Sequence, residues 1–310
     1  MKILVTGGAG FIGSHVADTY IGAGHHVVIV DDLSSGNMKN VNPKAKFVKM
    51  DIRGDELRGL FESEKFDVVN HHAAQMDVRR SVDDPLFDAS VNVVGSLNLL
   101  ENSKRFGVKR FVFASTGGAI YGEQDYFPAD EEHPQRPLSP YGISKLAVEK
   151  YLFYYMTVHG LQYTILRYAN VYGPRQNPHG EAGVVAVFST RMLSGKQPVI
   201  NGDGRQTRDY VNVKDLVRAN LLALSVKGSE IVNIGTGIET DVNDLFRLIM
   251  YHAGKSVDEV HGEPKKGEQL RSVVSNKKAE RILGWKPTIG LSDGIKDTVE
   301  FFRQQAAHGS

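Results

Sequence analysis

Along the first 170 residues, apolar positions recur in two alternating lengths. The short runs "KILVT", "HVVIV", "KFVKM", "DVVN", "RFVFAS" and "YTILRY" are rich in β-branched residues, and longer stretches at 11–23, 54–64, 83–105 and 140–158 read as helices. Strands apolar on both faces that alternate with helices predict parallel β-α-β units, hence an α/β fold built on a doubly wound parallel sheet. After Tyr168 the character changes. "ANVYGPRQNPHGEAG" is rich in Gly, Pro and Asn, predicts a loop, and precedes a helix near 182–194. A helix at 214–225 and the strand "EIVNIG" return to the sheet, while 242–252 and 277–305 supply helices of a smaller α/β C-terminal substrate lobe. The predicted organisation is therefore 1–170 with 211–236 as one domain, 171–210 and 237–303 as the lobe, and 304–310 as an aperiodic tail.

The first strand runs into "VTGGAGFIGSH", which spaces Gly7, Gly10 and Gly13 three apart at the mouth of a helix. Such glycines allow a tight turn, close approach of backbone N–H groups to a pyrophosphate, and tight helix-to-strand packing. Asp31 closes the second strand about 20 residues further on, where a carboxylate accepts hydrogen bonds from both ribose hydroxyls and repels a 2′-phosphate. This context predicts a Rossmann-type dinucleotide site with NAD as the cofactor in preference to NADP. Asp51, at the end of "KMD", is a candidate for the adenine edge or a solvated strand-end acid.

Composition narrows the classes. The chain has 310 residues, 41% hydrophobic and 24% charged, enough for a sizeable core. Its formal net charge is +1 with acids and bases interspersed, which predicts no nucleic-acid-binding face. It has no cysteine, so disulfides, thiol nucleophiles and thiolate metal sites are excluded. "MKILVTGG" enters a strand at once and no apolar run reaches the roughly 18 residues of a spanning helix, so a cytoplasmic protein without membrane association is expected. The pairs His25/His26 and His71/His72 are adjacent on strands and point to opposite faces, so no metal site is expected.

"SPYGISKLAVEKY" places Tyr141 and Lys145 one helical turn apart. A phenol titrates at about 10, and an ammonium about 4 Å away at an effective dielectric of about 20 contributes roughly 4 kcal/mol, about three pH units, toward the tyrosinate. That pair serves as a general base near neutral pH. Thr116, ending the strand before it in "FVFASTGGAIYG", supplies a second hydroxyl.

With these motifs together, the sequence resembles the extended short-chain dehydrogenase/reductase superfamily and, within it, the UDP-glucose 4-epimerase (UDP-galactose 4-epimerase) family. The resemblance spans residue 1 to about 302 and rests on "TGGAGFIGSH", "DDLSSG", "HHAAQ", "SVNVVGSLNLL", "STGGAIYGE", "SPYGISK", "LRYANVYGPRQ", "GEAGVVAVF" and "RDYVNVKD". It implies Thr116, Tyr141 and Lys145 as the catalytic trio. It implies NAD contacts from Phe11 and Ile12 in the glycine turn, and from Asp32, Leu33, Ser34, Ser35 and Gly36 after the second strand. Further contacts are implied from Ile52 beside Asp51, from Ala73, Ala74 and Gln75, and from Asn92, Ser115 and Tyr168. The UDP-sugar would be held by Asn170, Val184, Val185, Val199, Ile200, Arg208 and Tyr210, with Thr116. Arg208 would grip the diphosphate with its planar fork, unless it pairs with Asp209. Lys265 and Glu268 stand where relatives carry Arg and Asp, and Met76 where some members carry Lys. Ser272 stands where members restricted to plain hexoses carry tyrosine, so N-acetylhexosamines are expected to fit as well.

Related dehydratases follow the threonine with an Asp-Glu pair that eliminates water. Gly117 and Gly118 stand here instead, so hydride transfer at C4 through a 4-keto sugar is what the resemblance implies. A nucleotide-sugar reductase or dehydratase and a non-catalytic NAD-binding sensor are the alternatives. The run "YLFYYM" at 151–156 is apolar around the helix and predicts a second buried face. In the superfamily this helix and the one at 83–105 form a four-helix dimer interface, so a homodimer is expected.

Overall fold

A computed structural model describes residues 1–178, 183–264 and 269–308. In chain order the elements begin with β1 (Lys2–Thr6), α1 (Phe11–Gly22), β2 (His26–Asp31), β3 (Lys46–Lys49), α2 (Leu57–Glu64), β4 (Val68–His71), α3 (Val78–Asp83) and α4 (Pro85–Ala89). A π-helical turn at Ser90–Val94 leads into α5 (Gly95–Arg105), then β5 (Arg110–Thr116), α6 (Pro140–His159), β6 (Gln162–Tyr168), β7 (Asn170–Tyr172) and α7 (Val184–Leu193). There follow β8 (Val199–Asn201), β9 (Thr207–Arg208), β10 (Tyr210–Asn212), α8 (Val213–Ala223), β11 (Glu230–Ile234), β12 (Thr240–Asp241) and α9 (Val242–Ala253). Last come β13 (Val260–Gly262), β14 (Arg271–Ser272), α10 (Lys277–Leu283) and α11 (Leu291–His308).

Seven strands in the order β11-β6-β5-β4-β1-β2-β3 form one parallel sheet. One core lies between the sheet and α1, α8 and α10, with Val5, Tyr20, Ile29, Leu166, Leu216 and Trp285 buried. The second lies under α2, α5 and α6, with Leu4, Phe61, Leu99, Phe111, Val148 and Leu152. A third is formed by α7, α9 and α11 around Phe188, Phe246, Ile249, Ile295 and Val299. Because β1 neighbours both β2 and β4, the chain runs outward in both directions from β1, and the crevice at the carboxyl ends of β1 and β4 is where this topology opens a ligand site.

Three sequence expectations change. The helix expected over 83–105 is interrupted: Asp84 caps α4 by accepting from the Phe87 N–H, Pro85 occupies the first turn, and the π turn shifts the register before α5. The segment 277–305 is two helices, and α10 lies on the sheet, not in the lobe. Ala279, Leu283 and Trp285 join the sheet core, and the indole N–H of Trp285 donates to the Asp215 carbonyl at 2.8 Å. The expected tail is helical through His308. Among the described residues no helix is long and apolar enough to cross a membrane.

Candidate active site

The glycine turn is a cradle that no side chain could line. Gly7 has φ +68°, and a Cβ there would lie 2.6 Å from the Ala73 nitrogen; one on Gly13 would lie 2.2 Å from the Gly7 carbonyl oxygen. Gly10 precedes α1 without a capping side chain, and the first turn carries no acid. The N–H groups at Phe11 and Ile12 thus open α1 toward an anion at its positive end. Asp31 is buried at the end of β2. One carboxylate oxygen accepts from Ala9 N–H and the other from Leu33 N–H, both at 2.9 Å. Burial raises its pKa while these two bonds lower it. Leu33 adopts φ +64°, Asp32 accepts from the N–H and hydroxyl of Ser34, and a Cβ on Gly36 would lie 2.7 Å from the Asp31 carboxylate. The segment through Ser34, Ser35 and Gly36 therefore wraps closely around that acid. A cradle lacking Cβ atoms beside a half-satisfied carboxylate fits a dinucleotide.

Asp51 is different. Arg53 holds it through three side-chain contacts of 2.5 to 3.0 Å and lowers its pKa, which keeps the carboxylate charged at the end of β3. Ile52 packs into the second core and its carbonyl accepts from Asn98. After β4, Ala73 N–H donates to the Thr6 hydroxyl, Ala74 follows, and Gln75 is clamped by Asn92. The Asn92 amide accepts from the Gln75 N–H at 2.9 Å and donates to the Gln75 carbonyl at 2.8 Å. Asn92 is buried, and through these two bonds it fixes the backbone of Gln75. Met76 is 61% exposed.

Strand β5 ends with adjacent hydroxyls on opposite faces. Ser115 turns its hydroxyl inward and donates to Glu149 at 2.6 Å inside the protein, which leaves its backbone to meet a cofactor. Thr116 faces the crevice and accepts from Ala119 N–H at 3.1 Å. The two glycines that follow are unlike each other. A Cβ on Gly117 would meet Val274 at 2.9 Å and the Tyr168 carbonyl at 3.3 Å, whereas one on Gly118 would stand free, 3.7 Å from the Asn170 amide oxygen and 3.8 Å from the Thr116 hydroxyl.

Ser139 caps α6 by accepting from Gly142 N–H, and Pro140 opens the helix, so Tyr141 lies in its first turn. Lys145 is buried, donates to the Ala114 carbonyl at 2.9 Å, and lies 4.8 Å from the Phe113 ring centroid and 5.9 Å from that of Tyr141. A charge about 6 Å away at an effective dielectric of about 20 contributes about 2.8 kcal/mol, some two pH units, toward tyrosinate. Burial lowers the Lys145 pKa to about 8, with Asp88 and Glu149 opposing it. The Tyr168 hydroxyl pairs with the Asn220 amide at 2.9 to 3.1 Å beneath the sheet, and its ring stacks on His72 with centroids 6.2 Å apart. His71 points the other way, to Thr6 and Ser96.

On the lobe side, Asn170 is exposed and β7 pairs with β10 at Asn170 and Tyr210. Arg208 on β9 pairs in register with Ser272 on β14, side by side. The alternative partner of Arg208 is excluded: Asp209 turns inward and accepts from Thr236 N–H and Oγ1 at 2.8 and 2.6 Å and from Gly237 N–H at 3.1 Å. Val185 and Ile200 are lobe core, so only their backbone is available to a ligand; Val184 starts α7 and Val199 is partly exposed. Lys265 and Glu268 lie outside the described residues. The sequence reading missed Asp88, Glu149 and Arg167, all fully or nearly fully buried; a charged residue in an apolar helix face or strand was the only available signal.

Residues 3–235 match the model of the NAD dependent epimerase/dehydratase family. The chain is 45% identical over 312 residues to the UDP-glucose 4-epimerase of Mycolicibacterium smegmatis, covering 99% of this chain and 100% of that protein. The solved UDP-glucose 4-epimerase of Thermotoga maritima, with UDP-glucose, is similar at a TM-score of 0.97 and 50% identity, covering 99% of this chain and 100% of that one. The Thermus thermophilus UDP-glucose 4-epimerase, in complex with NAD, is similar at a TM-score of 0.94 and 44% identity, covering 98% and 99%. Likeness this close, extending over the whole length and joined to a glycine cradle shaped for a dinucleotide, means that the chain belongs to the NAD dependent epimerase/dehydratase family.

Proposed function

We propose that this chain inverts C4 of UDP-glucose and UDP-galactose. The observation that carries the reading is the open position at Gly118: the reacting face has the hydroxyl of Thr116 and the Tyr141–Lys145 pair, and no carboxylate where elimination of water would need one. NAD, when bound, supplies the reversible oxidation at C4 that erases and resets the stereocentre. Tyr141 takes the proton of the 4-hydroxyl and later returns it to the 4-keto sugar. Lys145 supports the tyrosinate, and Thr116 shares the proton through its hydroxyl. Arg208 holds the diphosphate while the sugar turns, between walls that include Asn170, Tyr210 and Ser272. Incubating the protein with UDP-galactose, adding no NAD, tests the reading by NMR: the UDP-glucose anomeric signal appears with no net absorbance change at 340 nm. A requirement for stoichiometric NADH instead identifies a reductase.

The same reading includes a homodimer. Ile143, Tyr151, Tyr154 and Val158 are 39 to 56% exposed along one face of α6, beside Leu86 and Val94 at 82% and 55%. An apolar row of that length, on two neighbouring helical segments, supports pairing with a second copy. Light scattering that returns the mass of one chain refutes it.

A further inference from the structure

Asp88 sits at the end of α4, wholly buried. Its carboxylate accepts from the Ser144 hydroxyl at 2.6 Å, the Asn92 amide at 2.9 Å and the Gln75 amide at 3.1 Å. Every one of these donors is neutral, and Asp88 forms no ion pair among the described residues, although a buried carboxylate left without a cation is costly. Ser144 precedes Lys145, whose ammonium is also buried and forms no ion pair among the described residues. The other acid near Lys145, Glu149, is committed to Arg167 through bonds of 3.0 and 2.6 Å.

We infer that Asp88 is the positioning residue of the catalytic helix: a buried counter-charge that keeps Lys145 cationic while its hydrogen bonds join α6 to the Gln75–Asn92 clamp on the cofactor side. The groups in contact with Lys145 or within electrostatic reach of it are consistent with this. Tyr141 and Glu149 come from its own helix, Phe113 and the Ala114 carbonyl from β5, His71 and His72 from the end of β4, and Asp88 from α4. Burial and the nearby Lys145 charge lower both histidines, His72 to about 3, so neither shares the positive charge. Asp88 is then the one acid there whose charge is not taken up by a guanidinium.

The role in turnover rests on the proposed epimerase reading, but the electrostatic link is measurable without substrate. In protein carrying lysine labelled with ¹³C at Cε, the Lys145 signal is the one lost in Lys145→Arg. Its titration midpoint should fall by about one to two pH units in Asp88→Asn, since loss of a nearby anion makes the ammonium give up its proton sooner. The amide retains the local bonds, accepting from Asn92 and Gln75 and donating to Ser144. Asp88→Ser, a second uncharged variant, should shift the midpoint likewise, and Asp88→Glu should keep it. With UDP-galactose, the alkaline limb of kcat should move down with the midpoint, a response that a merely structural role would not produce. Midpoints in both uncharged variants within about 0.3 of the wild type overturn the inference. A shifted midpoint where the wild type itself does not epimerise UDP-galactose leaves it standing and refutes the epimerase reading instead.

Discussion

Placing an acid at Gly118 tests why this site is built without one. The backbone there does not need glycine, because Gly118 lacks the positive φ seen at Gly7 and its Cβ position is open. Gly118→Asn should fold and retain kcat to within a few-fold. Gly118→Asp has the same shape but adds a negative charge beside the Thr116 hydroxyl, where Tyr141 must become anionic. For a carboxylate lying about 6 Å from the phenolate oxygen, at an effective dielectric of about 20, the repulsion is about 2.8 kcal/mol, or about two pH units on the phenol. Since that shift is upward, tyrosinate is depleted below its new pKa. The Asp variant should therefore turn over UDP-galactose about a hundredfold more slowly than the Asn variant at pH 7 and recover as the pH rises. The assay is kcat across pH for both variants, with melting temperature and bound NAD as controls. If the two lie within threefold of each other at pH 7, the tyrosinate is not the base.

Three more outcomes are expected. Tyr141→Phe should lose at least about a hundredfold in kcat while NAD stays bound, and Thr116→Val should lose less; the reverse order, read in the same assay, exchanges their roles. Asp31→Ala should weaken NAD and narrow its preference over NADP, measured by binding of both dinucleotides. It should also destabilise the fold by about 1 to 3 kcal/mol by freeing the N–H groups of Ala9 and Leu33, and unchanged discrimination means another residue reads the ribose. Ser272 is buried beside Arg208 and its hydroxyl has no hydrogen bond among the described residues, so the wild type should accept UDP-N-acetylglucosamine and UDP-N-acetylgalactosamine. Ser272→Tyr should depress kcat/KM for that pair about ten- to a hundredfold relative to the plain hexoses, and an unmoved ratio removes Ser272 from specificity.

The sheet and cradle were legible because their causes are local. β-branched runs between helical patterns, and glycines at the mouth of a helix, state backbone requirements in the sequence itself. Tyr141 and Lys145 were legible for the same reason, being one turn apart. Direction was harder. Asn92 and Tyr168 belong to the right region, yet their polar ends bond to Gln75 and Asn220, and Val185 and Ile200 turn into the lobe core. A motif reports that a segment approaches a ligand, but not whether it does so by backbone or side chain. Asp88 and Glu149 were hidden because the bonds that tie them to another element reach 56 and 18 residues along the chain, to Ser144 and Arg167. Trp285 drew α10 onto the sheet through a contact 70 residues distant.

The inward turn of Asp209 bears on the economy of the reaction. One carboxylate, at the junction between β9 with Arg208 and β10 with Tyr210, joins both strands to the loop after β11, where Thr236 and Gly237 donate to it. A joint so fully satisfied leaves little reason for the sugar walls to rearrange between the two halves of a turnover. Under the epimerase reading the ring moves and the walls do not, so both epimers meet the same fixed surroundings and neither is strongly preferred. Such a catalyst acts as a leveller. It sets how quickly the two sugars come to balance, and the direction of net conversion belongs to whichever neighbouring reaction fills or drains one side.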